Sequence, residues 1–249
     1  VIRLNFSHKD YDEKKMVIDL VRKLNGEQKT KLSILMDNKW PEIRTGKKEE
    51  KTAYKKWDMV TVYIDESRTW PDDIFCDYQF LLEDMQIGDV LRIDSWLFDA
   101  EVVEIHDTYC ICKALNDAVI GTYRHINLPW KKLKLPWITS TDEEDMLFAI
   151  RHGITIVAMS FVRSAQHIED LRAFWKQHWW DTLHIIAKIE NQEWLDNLEE
   201  IVKASDGIMV ARGDLWIEVP VTMLPYYQEK IMETCHRLWK PVIVATQMI

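Results

Sequence analysis

The sequence predicts an α/β protein: part of a parallel (β/α)8 TIM barrel carrying a small all-β insert. Three observations predict it. From about residue 131 onward, apolar β-branched runs alternate with stretches of helical spacing, the rhythm of parallel β/α units. Two consecutive strands, 183–190 and 206–211, deliver Lys188, Glu190 and Asp214 at their C-terminal ends. That is the face on which β/α barrels build active sites. Between about residues 47 and 129 the strands turn short and are separated by turns, the signature of an all-β unit.

The pivotal stretch is His184-Ile185-Ile186-Ala187-Lys188-Ile189-Glu190-Asn191. Side chains alternate across a strand, so Lys188 and Glu190 point to one side. On a solvated face they would be a plain ion pair. In a strand this apolar they are buried, and burying two charges is costly without further partners. The next strand ends in Arg212-Gly213-Asp214. Two carboxylates and a lysine at one barrel mouth suit a divalent cation holding a phosphorylated or enolic substrate.

Taken in order, Val1–His8 reads as a strand with Arg3, Asn5 and Ser7 on one face. Alone, that pattern is that of polar residues filling a barrel interior. Val1 falls in mid-strand, so the N-terminus is not expected to be the native one. Residues 11–24 carry Met16, Ile18, Leu20, Val21 and Leu24 at helical spacing. A strand follows over 31–37, ending in Asp37-Asn38-Lys39. The insert is read over 47–130, with strands at 59–64, 90–93, 97–105 and 109–114. The barrel is read as two parts, 1–46 and 131–249. Thr141-Asp142-Glu143-Glu144 looks like a capped helix start, and Gly153 closes that helix. Strand 154–161, helix 166–178, helix 193–203, helix 224–238 and strand 241–246 complete the chain. Six barrel strands result where eight close a barrel.

Composition narrows the function. A formal net charge of −9 argues against nucleic acid as a partner, though a local cluster of Arg and Lys still admits anionic substrates. No apolar run is long enough to span a membrane, and Val1 does not open a signal peptide. Cys76, Cys110, Cys112 and Cys235 lack C-x-x-C spacing. Cys110 and Cys112 would share a strand face, but reduced thiols in a cytoplasmic protein fit better than a metal site. The histidines show no ligand spacing.

Six motifs, RLNFSH, PEIRTG, SFVR, IIAKIENQE, SDGIMVARGD and KPVIVATQM, stand in an order that closely resembles pyruvate kinase. The similarity runs from Val1 to Ile249 and is loosest in the middle third. The first and last barrel strands and the C-terminal domain of that family have no counterpart. The resemblance implies phosphoryl transfer from phosphoenolpyruvate to ADP, with Mg²⁺ (or Mn²⁺) and K⁺ as cofactors. It places Lys188 on the moving phosphoryl group, with Arg3 nearby, and Glu190 and Asp214 on Mg²⁺. The backbone N–H groups of Gly213 and Asp214 would bind the substrate carboxylate, and Thr246 would assist protonation of the enolate. K⁺ would be held by Asn5, Ser7, Asp37 and the carbonyl of Asn38, where the family has Thr. Arg44 and Arg124, with Arg3 and Asn5, would meet the nucleotide; Arg124 replaces a Lys, and its neighbours Tyr123 and His125 depart from the pattern. Glu42 matches the potassium-dependent form. The insert would be the lid, and the full-length family member a cytoplasmic homotetramer. Two other readings compete: a fragment that keeps the motifs but is catalytically incompetent, and a Mg²⁺-dependent pyruvate-enolate lyase. The insert and the RLNFSH and PEIRTG motifs argue against the lyase.

One compositional fact stands apart. Average glycine usage of ~7% would give roughly seventeen glycines, yet the chain has 7 Gly and 12 Trp. Trp40, Trp96, Trp130, Trp194, Trp216 and Trp239 occupy positions where the resemblance expects glycine. Counting tryptophan as glycine restores an ordinary glycine share. A gene that uses UGA for glycine, translated with UGA as tryptophan, would produce this pattern. Lys9, also at a usual glycine position, stays unexplained by it.

Overall fold

The computed structural model describes residues 1–7, 10–28, 30–39, 41–67, 72–94, 96–129, 131, 133–178, 182–190 and 194–245. They form two compact units, one of residues 1–41, 136–216 and 221–249, the other of 42–135 and 217–220.

The first unit is built on one six-stranded, wholly parallel sheet. Its order in space is its order in the chain: Ile2–Asn5, Ile34–Asp37, Ile156–Met159, His184–Ile189, Gly207–Ala211, Val242–Ala245. Parallel neighbours need crossover connections, and helices supply them. Their apolar residues recur at the spacing that buries one stripe: Ile18 and Val21 in Tyr11–Glu27, Ile168, Leu171 and Trp175 in Ala165–Gln177. Strand residues Val157, Ile185, Ala187 and Val210 are fully buried. This is an α/β fold and a partial barrel. Register places the strand ends level: Asn5 pairs with Asp37, and Met159 with Ala187.

The helix at 140–151 starts two residues earlier than a Thr141 cap suggests. Its N-cap is Thr139, not Thr141, and Thr139 and Asp142 close a capping box. Both Thr139 and Thr141 stand before acidic residues, so composition alone does not separate them.

Among the described residues of 42–135, the second unit is all-β apart from the short helix Leu81–Asp84. Seven short strands form one sheet, and almost every pairing in it is antiparallel. Its two edge strands, Ile43–Arg44 and Ile74–Phe75, meet through the Thr45–Cys76 bridge and the Asp77 N–H bonded to the Arg44 carbonyl. The sheet therefore closes into a small barrel, which removes exposed edges. Its interior is apolar, with Val60, Leu91, Ile93, Phe98, Val102 and Ile120 fully buried or nearly so. All four cysteines are free and buried. The Cys110 and Cys112 sulfurs lie 3.8 Å apart on one face of Tyr109–Ala114.

Candidate active site

The chemistry-bearing side chains of the first unit gather at the C-terminal ends of its strands. In His184–Ile189 the odd-numbered residues Ile185, Ala187 and Ile189 are buried. That parity leaves Lys188 on the opposite side, with Glu190 just beyond the strand. Ser160 directly follows the neighbouring strand Ile156–Met159, and Asp37 ends the next strand beyond it. An ammonium has three N–H donors, and Lys188 Nζ has three oxygens around it. Glu190 Oε1 is 2.8 Å away, Asp37 Oδ1 3.2 Å and Ser160 Oγ 2.8 Å.

These groups reset one another's acidity. Burial alone would lower the Lys188 ammonium, but Glu190 and Asp37 outweigh it and hold its pKa above the ordinary lysine value. Glu190 is 1% exposed. Burial pushes its carboxyl up to about 7, with Lys188 pulling it back and Asp214 adding to the rise. The Phe161 N–H donates to Glu190 Oε2 at 2.7 Å. Phe161 has φ +51, an unusual value for a bulky residue.

Asp37 also accepts from Arg3 Nε at 2.6 Å. Asn5 and Ser7 are exposed, and the Ser7 N–H donates to Asn5 Oδ1 at 2.9 Å. Asn38 is 2% exposed. Its Nδ2 donates to Asp142 Oδ1 at 2.8 Å, and its backbone oxygen accepts from Ser160 Oγ at 2.9 Å. Its Oδ1 is buried with no hydrogen-bond partner among the described residues. Gly213 and Asp214 sit in the first turn of the helix Arg212–Glu218. Thr246 lies outside the described residues.

Of the nucleotide candidates, Arg3 and Asn5 belong to the first unit and Arg44 and Arg124 to the second. Arg44 Nη2 lies 3.0 and 3.2 Å from the two Glu42 carboxylate oxygens, and Nη1 donates to the Tyr123 carbonyl at 2.8 Å. His125 Nε2 contacts the same Glu42 carboxylate. Arg124 pairs with Asp94 at 3.3 Å.

The donor set around Lys188 is all oxygen, which selects hard cations. No group of three or more His, Cys, Asp or Glu side chains is placed to hold a metal among the described residues. Glu190 and Asp214 are close enough for Asp214 to act on the Glu190 carboxyl electrostatically. That suits Mg²⁺, which takes one or two carboxylates and completes its shell with water and phosphate. A carboxyl raised by burial, with a neighbouring carboxylate adding to the rise, is what a divalent cation relieves. The orphaned Asn38 Oδ1 and its carbonyl fit a monovalent cation in the same way. Ser160 and the Phe161 N–H were missed from sequence. Ser160 stands in SFVR at a strand end, and only the sheet register brings it level with Lys188.

The sequence pattern of the pyruvate kinase barrel domain matches residues 1–249. The chain is 38% identical over 252 residues to the pyruvate kinase of Staphylococcus saprophyticus. It is 40% identical over 257 residues to that of Sporosarcina psychrophila and 39% identical over 254 to that of Geobacillus stearothermophilus. Each match covers 100% of this chain and 43% of the relative.

Proposed function

Because the chain belongs to the pyruvate kinase family, we propose that it carries the phosphoryl-transfer centre of a pyruvate kinase. In that reaction the bond between phosphorus and the enol oxygen of phosphoenolpyruvate breaks. A bond to a β-phosphate oxygen of ADP forms, and the enolate takes up a proton at carbon to become pyruvate. The observation that carries this reading is the Lys188 ammonium, fixed by Glu190, Asp37 and Ser160 at the ends of adjacent parallel strands.

Such transfer needs little covalent help; it needs alignment and neutralised charge. Lys188, held in its charged form, faces the charge on the moving phosphoryl group. Arg3 stands beside it through Asp37. The N–H groups of Gly213 and Asp214 bind the substrate carboxylate. Arg44 and Arg124 take the nucleotide phosphates, Arg being suited to bidentate contact. Thr246 orients the water that protonates the enolate carbon. Glu190 and Asp214 would hold Mg²⁺ or Mn²⁺, which supplies Lewis-acid stabilisation of the phosphoryl and enolate oxygens when bound. Asn5, Ser7, Asp37 and the Asn38 carbonyl would hold K⁺.

A coupled assay of pyruvate formation tests the reading, on this chain and on the full-length protein that contains it. ADP-dependent pyruvate release is expected from the full-length protein. Pyruvate release without ADP consumption would instead indicate a lyase. A folded but inactive full-length protein would indicate an incompetent member.

A further inference from the structure

We propose that Ser160 is a positioning residue that ties the monovalent-cation side of the site to Lys188. The proposal rests on the pyruvate kinase reading for the role of Lys188. Ser160 is 5% exposed, and its hydroxyl is shared. It donates its single proton to the Asn38 carbonyl at 2.9 Å, so its lone pairs are left to accept from Lys188 Nζ at 2.8 Å. The Asn38 carbonyl is the one the family resemblance assigns to K⁺, and a carbonyl oxygen has a second lone pair for a cation. The far side of Asn38 is fixed too. Its amide donates to Asp142, which belongs to the capping box of the helix Ser140–Arg151. A cation pulling on the carbonyl therefore acts through one hydroxyl on the third N–H of Lys188.

The test uses the full-length protein with Ser160→Ala and Ser160→Thr. Partners one layer behind metal ligands are commonly worth ~10–100-fold. Ser160→Ala should lower kcat by about tenfold or more and change KM for phosphoenolpyruvate less. Without substrates, K⁺ should raise the melting temperature of the parent protein and do so at higher concentration in Ser160→Ala. Ser160→Thr, which keeps the hydroxyl, should restore both. An unchanged K⁺ titration in Ser160→Ala, or no K⁺ effect on the parent protein, overturns the tie. An inactive parent whose K⁺ titration still depends on Ser160 would overturn the functional reading and leave the tie standing.

A second inference rests on the backbone. We infer that positions 57, 96 and 239 are glycine in the natural protein. Trp57 and Trp96 have φ +80 and +78, beyond the +50 to +70° window of left-handed L-residues and close to the +91 of Gly88. Both stand third in a turn. Asp58 N–H bonds to the Lys55 carbonyl across Trp57, and Leu97 N–H to the Asp94 carbonyl across Trp96. In the first turn only the third residue is at positive φ, which is the type II pattern that calls for glycine. Trp239 has φ +56 and follows the C-cap Leu238. Lys240 N–H bonds to the Cys235 carbonyl and Trp239 N–H to that of His236, the two bonds of a Schellman motif. At that motif's left-handed position glycine is usual, and here Trp239 is 93% exposed. Of the six non-glycine residues at positive φ among those described, three are tryptophan. Unrelated mutations would scatter over residue types, whereas one misread glycine codon yields tryptophan every time.

Peptide mass spectrometry of the protein from its source organism decides it. Peptides spanning these positions should be lighter by an indolylmethyl group less one hydrogen, and the codons should be UGA. Tryptophan masses or UGG codons overturn the inference. Independently, Trp239→Gly should raise the melting temperature of the recombinant chain and Trp239→Ala should not match it; equal effects would remove the backbone argument.

Discussion

Lys188 and Trp239 mark two extremes of what a residue gives a fold. At Lys188 the backbone is ordinary strand, and the side chain carries the whole role through three oxygens around its ammonium. At Trp239 the backbone carries the role and the side chain reaches into solvent. A twin within the same unit makes the point. The helix Ser140–Arg151 ends on Gly153 at φ +59, with Gly153 N–H on the Ile150 carbonyl and Ile154 N–H on that of Ala149. The helix Leu224–Arg237 ends through the same two bonds on Trp239 at φ +56. One motif holds glycine, the other the bulkiest side chain. The chain path demands a left-handed conformation at both ends, which glycine adopts at the least cost.

The comparison breaks first at Lys188. Lys188→Met in the full-length protein should lower kcat by ~10²–10³-fold, the range of other preorganised charge stabilisers. Mg²⁺ binding should largely survive. A variant retaining more than about a tenth of the parent kcat would falsify the role given to its ammonium. Glu190→Gln should act on the metal instead. Half-saturating Mg²⁺ should rise at least about tenfold, because even groups behind metal ligands are worth that much. An unchanged Mg²⁺ titration removes Glu190 from the ligand set.

The twin helix ends sharpen the other side of the comparison. Gly153→Trp should destabilise by ~1–3 kcal/mol, the cost of an L-residue forced into that region. Trp239→Gly should stabilise by roughly 1 kcal/mol for the same reason. Chemical denaturation of the two variants measures both. Opposite signs are required, and a shared sign would mean that local packing decides these ends.

What the sequence made legible follows the same division. Lys188 and Glu190 could be placed on one side because strand parity is a local rule, and the structure does place them together. Six parallel strands were readable from alternating runs, and six are described. Ser160 was not readable as a partner of Lys188, because 28 positions separate them and only the sheet order brings them level. The Asn38–Asp142 bond spans 104 positions and was equally hidden. Strands of two or three residues, such as Ile43–Arg44, Ile74–Phe75 and His125–Asn127, are too short to show a period. Trp96 and Trp239 were readable as misplaced only against a family pattern. Trp57 was not singled out, and its turn became visible only through φ. Trp194 shows the opposite behaviour: it is fully buried at the start of the helix Trp194–Ala204, where no positive φ is needed. Trp40 and Trp130 lie outside the described residues.

The smallest effect lies at the same helix end as Trp239 and weighs a side-chain contact against the backbone motif. Arg237, two residues before Trp239, reaches Glu199 at 2.9 Å, and Lys203 reaches the same carboxylate at 2.7 Å. Together they hold the Glu199 carboxyl down to about 2, against an ordinary value of 4.5. The sign follows from linkage. A carboxyl depressed in the folded state adds stability above its unfolded pKa, and that stability fades as pH falls from about 4.5 towards 2. Glu199 and Arg237 are both about half exposed, so water and salt screen the pair. Glu199→Gln should therefore destabilise slightly at neutral pH and low salt. The difference from the parent should shrink on acidification and also on adding salt. Denaturation curves at several pH values and two salt concentrations read both trends. A difference that grew towards low pH, or ignored salt, would show that Glu199 acts through packing and not through its charge.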